Sequence, residues 1–154
     1  MIEKQAVDRE KALLVGVIGP GITENIVHEH LDELELLADT AGAEVVGRVT
    51  QKVSRINAAT FLGKGKAQQV IDQAAALGVS LILFDDELSP AQIKNYHQMS
   101  QGTKILDRSG LILNIFQKHA RTKEARTQVD LAYLEYLLPR LTRQWTHLER
   151  QMGG

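Results

Sequence analysis

Three groups of residues have the types and spacing to touch a ligand, and they suit different ligands. Gly63, Lys64, Gly65 and Lys66 place two ammonium groups on glycine backbone, which can approach a phosphate closely. A nucleotide P-loop would need a glycine five residues before the Gly65-Lys66 pair and Ser or Thr after the lysine to hold magnesium; this chain has Thr60 and Ala67 there. The segment therefore reads as a flexible helix entry whose lysines are open to phosphate or RNA. Asp85, Asp86 and Glu87 follow an apolar run as three successive acids. With further oxygens converging on them, Asp85 and Asp86 would be magnesium ligands, and otherwise they are solvated charge ahead of a helix. Arg140, Arg143, His147 and Arg150 recur at steps of three and four, so one helix face carries them all, suited either to phosphate contact or to solvation alone.

Composition removes other chemistry. The 154 residues include no Cys, so disulfide scaffolds, thiolate zinc sites and cysteine nucleophiles drop out together, in keeping with a reducing compartment such as the cytoplasm. His28 and His30 are two apart, on different sides of a helix, and make a poor metal pair. No G-x-S-x-G elbow occurs, and Ser109 in Asp107-Arg108-Ser109-Gly110 reads as a helix cap. No apolar stretch reaches the length of a bilayer span, and the charged first ten residues do not resemble a secretory signal, so a soluble protein is expected.

The elements that must carry these residues follow from hydrophobic period. Residues 12–19 (ALLVGVIG), 44–50 (EVVGRVT), 80–84 (SLILF) and 104–107 (KILD) read as strands. Between them, residues 24–41 place Val27, Leu31, Leu34, Ala38 and Ala41 on one helical face, and residues 66–77 do the same with Ala67, Val70, Ile71 and Ala74 before Gly78. Ser89, Pro90 and Gln92 give a cap, a proline at the first helical position and a capping-box partner for a helix to about residue 100. Residues 51–60 have no period and read as a loop. Strands separated by helices need crossovers, so the expected fold is α/β, with a mainly parallel four-stranded sheet and flanking helices over residues 1–108.

Residues 109–154 are a chemically different object. Residues 1–109 hold 11 Lys+Arg against 15 Asp+Glu, a net of −4, whereas residues 110–154 hold 7 against 4, a net of +3. Residues 111–120 are expected to be helical. Beyond them, Leu131, Leu134, Leu138, Leu141, Trp145, Leu148 and Met152 alternate steps of three and four, a heptad seam. Pro139 should bend the helix or restart it. An isolated helix cannot bury such a face, so a second copy, the preceding elements, or a segment beyond residue 154 must cover it. Trp145 falls in the seam, where packing is expected, and Tyr133 and Tyr136 suit either packing or base stacking.

The motifs LDELELLADTAGAEVVGRVTQ, FLGKGK, LILFDDELSPAQ, KILDRSGLILNIF and LLPRLTRQWTHLERQMGG, in this order, resemble the N-terminal region of the HflX family of GTP-binding proteins. The resemblance implies an α/β domain, then the first arm of a long helical hairpin, then a returning helix and a GTPase domain. The residues that bind GTP and magnesium in the family would lie outside this sequence, and the parent would be the GTP hydrolase. It also implies association with the large (50S) ribosomal subunit, action in ribosome splitting and rescue or biogenesis, and a hairpin tip presented to rRNA. Arg140, Arg143, His147 and Arg150, with Lys64 and Lys66, would then contact rRNA phosphates. Two other readings of the residues stand beside this one: a self-sufficient nucleotide- or metal-binding enzyme using Asp85 and Asp86, and a coiled-coil module dimerising through Leu134, Leu138, Leu141 and Leu148.

Overall fold

The computed structural model describes the backbone of residues 9–152 and the side chains of residues 9–139. In chain order the elements are β1 (Glu10–Ile18), α1 (Glu24–Thr40), β2 (Ala43–Lys52), α2 (Lys64–Ala76), β3 (Leu81–Phe84), α3 (Pro90–Met99), β4 (Lys104–Asp107), α4 (Arg108–His119) and α5 (Lys123–Met152). The strands form one parallel sheet in the order β2-β1-β3-β4. This is the expected α/β class. Residues 51 and 52, expected in a loop, instead extend β2, because Gln51 and Lys52 stay in register with Val17 and Ile18.

β1 is central and buried on both faces, which is why its sequence is an unbroken apolar run rather than an alternating one. Leu13, Val15 and Val17 look toward α2 and α3, packing with Val70, Ile71, Phe84 and Tyr96. Ala12, Leu14 and Ile18 look the other way, onto Val27, Leu31 and Leu34 of α1 and Leu111 of α4. Each such leucine or valine contributes about 1.5–3 kcal/mol by leaving water. α1 lies close to the sheet because β1 carries Gly16 under it. A Cβ there would meet Val27 at 3.1 Å and Leu31 at 3.2 Å.

Local signals end the helices where the sequence places them. Thr23 accepts a bond from the Ile26 amide at the start of α1, and Gly42 follows its end with φ +91°. Ser89 and Gln92 complete a reciprocal capping box on α3. One cap differs from expectation. Ser109 sits inside α4, and the residue that caps it is Asp107, whose Oδ1 accepts from the Gly110 amide at 2.9 Å.

α5 is a single 30-residue helix that runs through Pro139 without restarting, a length of about 45 Å. It rests against α4 and α3. Ala125, Val129, Ala132, Tyr133, Tyr136 and Leu137 are half-buried along one side. Leu131, Leu134 and Leu138 are 58%, 51% and 56% exposed on the other. The body therefore does not cover the described half of the heptad seam. The seam positions Leu141, Trp145, Leu148 and Met152 have side chains outside the described residues.

Candidate nucleic-acid interface

Lys64 and Lys66 stand at the first turn of α2, a short step after a loop held by several hydrogen bonds. Asn57 turns the chain by accepting the amides of Ala59 at 2.8 Å and Thr60 at 3.2 Å on its Oδ1. Asn57 and Phe61 then exchange backbone bonds. Phe61 takes a left-handed φ of 65°, a conformation that costs a non-glycine residue about 1–2 kcal/mol; its burial in the core offsets that cost.

Three side chains of α3 hold this loop from behind. Gln92 Nε2 donates to the Asn57 carbonyl at 2.9 Å, Asn95 Nδ2 to Ala59 at 2.7 Å, and the Tyr96 hydroxyl to Thr60 at 2.5 Å. Burial pushes the Tyr96 phenol well above its usual range, against a smaller opposing effect of the Leu62 backbone. Gly63 begins α2 with its own amide bonded to Gln51 Oε1 at 3.0 Å, and no side chain caps the helix. The positive end of α2, with two lysines on it, faces solvent beside the loop.

The second sequence candidate lies at the carboxyl ends of β1 and β3, where the chain reverses its direction of travel across the sheet, the usual ligand crevice of such folds. There Arg108 takes Asp85 Oδ1 with both Nε, at 3.0 Å, and Nη2. The same guanidinium donates to the His30 carbonyl at 3.0 Å and lies 3.6 Å from Glu33. His30 Nδ1 is 3.9 Å from the other Asp85 oxygen. Partial desolvation at the strand end, and then the Asp85 charge, raise the Asp86 carboxyl above its ordinary range. Its side chain is still open to water, so the shift carries little stability. Asp85 is thus a staple between β3, α1 and α4, and among the described residues no three His, Asp or Glu converge as metal ligands.

Among the described residues the glycine-lysine segment does not form a P-loop cradle for nucleotide phosphates. Gly63-Lys64-Gly65-Lys66 follows an irregular loop rather than a strand, and Ala67, where a magnesium-holding hydroxyl would stand, is buried in the core.

The third candidate, the stripe of Arg140, Arg143, His147 and Arg150, has its side chains outside the described residues; the helical backbone is continuous through all four. One connection that sequence reasoning missed attaches this arm to the body. Asp107, completely buried, accepts from the Leu88 amide at 3.1 Å, the Gly110 amide at 2.9 Å and the Tyr136 hydroxyl at 2.8 Å. The D-x-x-G spacing could have flagged Asp107 as the α4 cap; nothing local could have flagged its bond to a tyrosine in another helix.

Two family models match the chain in succession, GTP-binding GTPase N-terminal over residues 28–117 and GTP-binding GTPase Middle Region over residues 119–154. A GTPase HflX of Flavobacterium psychrophilum is 51% identical over the whole chain, which covers 37% of that protein. The GTPase HflX of Escherichia coli K12 is 42% identical over 94% of the chain and 33% of its own length. The chain thus spans about a third of the length of the curated relatives it matches. Among solved structures, a GTP-binding protein from the archaeon Sulfolobus solfataricus in complex with GDP superposes with a TM-score of 0.68 at 25% identity, over 94% of this chain and 42% of that one. No helix among the described residues is long and apolar enough to cross a membrane. With the N-terminal model alone covering more than half of the chain, and the middle model continuing from it, the protein belongs to the HflX family of GTP-binding GTPases and corresponds to their N-terminal region.

Proposed function

We propose that this chain is the ribosome-docking region of an HflX-type GTPase, binding the large (50S) subunit and serving ribosome splitting and rescue or biogenesis in the cytoplasm. In this reading residues 1–108 are the α/β body and residues 109–154 the first arm of a helical hairpin, with α4 seating the arm on the body. GTP and magnesium are held by a GTPase domain outside this sequence, and the seam is met by a returning helix from the same parent. The observation that carries the reading is the two-sided α5, fixed to the body along one side while Leu131, Leu134 and Leu138 stay open on the other. A body that holds a long helix by one side and leaves the other open is built to deliver it to a partner.

Arg140, Arg143, His147 and Arg150 on the arm, with Lys64 and Lys66 on α2, are the residues proposed to meet rRNA phosphates. Sedimentation of the chain with purified large subunits over a salt series tests this. Each phosphate neutralised contributes about 0.9 to the log–log salt slope. Reversing the three arginines should therefore flatten the slope by about 3 and weaken binding at low salt. Unchanged affinity and slope would sink the assignment.

A further inference from the structure

One cavity is left unused by the arginine stripe. It opens between the 57–60 turn, the start of α2 and the end of α3, and has a volume of about 770 Å³, within the range of small-ligand sites. Its walls are set in advance by the Gln92, Asn95 and Tyr96 bonds that pin the turn.

Hydrogen-bonding capacity is left over inside it. Gln98 has no hydrogen-bond partner among the described residues. Asn95 gives Nδ2 to Ala59 and keeps Oδ1, while Gln68 gives Nε2 to Asp72 at 2.9 Å and keeps Oε1. Met99 and Ala59 supply apolar surface beside these carboxamides, and Lys64 stands at the end nearest the uncapped α2 terminus. Gln98 offers a donor and an acceptor side by side, the pattern of a nucleobase edge, and Asn95 and Gln68 add acceptors. Apolar wall suits the face of a base, and an ammonium over free helix amides suits its phosphate.

We propose that this cavity receives one unstacked nucleotide of single-stranded RNA. The base lies among Asn95, Gln98 and Gln68, and its phosphate lies at Lys64. The shared chemistry is that of any nucleoside phosphate, and one feature favours RNA over a free nucleotide. The cavity is open and holds one lysine rather than an enclosed polyphosphate cradle, which suits a single phosphate of a strand that continues past it; Lys66, two residues along α2 from Lys64, points about 200° away and lies outside the cavity. A duplex is excluded because its bases are stacked face to face and their Watson–Crick edges are already paired. The assignment rests on the RNA-docking reading and adds to it a site that recognises bases rather than charge.

The test measures binding of fluorescein-labelled hexaadenylate to the chain by anisotropy, beside AMP and a duplex of equal length. Hexaadenylate should bind more tightly than either. Gln98→Glu, which turns the carboxamide into a repelling carboxylate, should weaken it about tenfold, the low end of what one bidentate amide–base pair discriminates. Lys64→Ala should weaken it further than Lys66→Ala, with far-UV circular dichroism unchanged in each variant. Equal losses for both lysines, insensitivity to Gln98→Glu, or equal binding of duplex would reduce the effect to charge and overturn the proposal. AMP binding as tight as hexaadenylate would assign the cavity to a free nucleotide and overturn the RNA source. Cavity binding without sedimentation on large subunits would sink the docking reading alone, and sedimentation without cavity binding would sink this inference alone.

Discussion

Replacing Asp107 by Ala should be the most damaging single polar change in the described structure. The carboxylate is fully buried and joins three segments: the turn before α3 through Leu88, the start of α4 through Gly110, and α5 through Tyr136. Removing it takes the charged acceptor from two buried amides and a hydroxyl, each a loss of about 1–3 kcal/mol where no water replaces it. The losses are not fully additive, because α5 can shift and rehydrate the tyrosine, which brings the expected total to about 3–5 kcal/mol. Set against the roughly 5–15 kcal/mol of a whole domain, that is a large share. Urea titrations followed by far-UV circular dichroism should show the midpoint falling with little change in slope. Tyr136→Phe removes only the hydroxyl and should cost about 1 kcal/mol, while raising hydrogen exchange along α5 more than in β1. Gly110→Ala should act on the same contact from the other side, since its Cβ would come within 2.8 Å of the Tyr136 hydroxyl. A loss below about 1 kcal/mol for Asp107→Ala would refute the view that this buried carboxylate, rather than α4–α5 packing, fixes the arm to the body.

The Tyr96 phenol is held protonated above its ordinary pKa of about 10, so the unfolded chain ionises first and the folded state loses about 1.4 kcal/mol per pH unit above that value. Stability below pH 10 is unaffected by this group. Urea midpoints of wild type and Tyr96→Phe should therefore converge as pH rises past about 10; parallel curves would mean the phenol is not shielded. The open seam predicts concentration-dependent self-association of the 154-residue chain, abolished by Leu134→Lys with Leu138→Lys. Sedimentation equilibrium that finds the same monomer in both proteins would remove the seam as a contact surface. Arg108→Ala should leave Asp85, only 11% exposed, without its guanidinium and cost about 3 kcal/mol, read from the thermal midpoint. A cost near that of an exposed pair, below about 1 kcal/mol, would show that water solvates Asp85 adequately.

β1 and β3 were legible in the sequence because burial on two faces writes itself as an apolar run, and local signals marked one end of each of the first three helices. Gly42, Gly78 and the Ser89–Gln92 box signal within four residues of where they act. The candidate site was legible only where its residues are neighbours in the chain. Lys64 and Lys66 stand out in the sequence, but the turn that shapes the cavity beside them does not, because the local Asn57 bonds that start it are completed by side chains of α3. The Asn95–Ala59 and Tyr96–Thr60 bonds each span 36 residues. Asp85 and Asp86 were read as a pair, yet the structure separates them by giving Asp85 an arginine from 23 residues away. Ser109 took the cap assignment from Asp107 because local propensity favours Ser, Thr, Asn and Asp alike and cannot decide between near neighbours.

The seam and the docked side of α5 follow from one geometric fact. At 100° per residue, Ala125, Val129, Ala132, Tyr133 and Tyr136 cluster about half a turn from Leu131, Leu134 and Leu138. A helix that buries the first set against α3 and α4 cannot turn the second set toward the same body, whatever the strength of its leucines. Of the two apolar stripes, the body takes the one that contains the Tyr136 hydroxyl, which bonds the buried Asp107 carboxylate. The heptad leucines are left outward by exclusion. The arm's orientation is thus tied to a polar bond as well as to hydrophobic area. The Tyr136→Phe chain should therefore be the first to lose the proposed large-subunit binding without losing its fold, and retention of both in that variant would show that packing alone sets the angle of the arm.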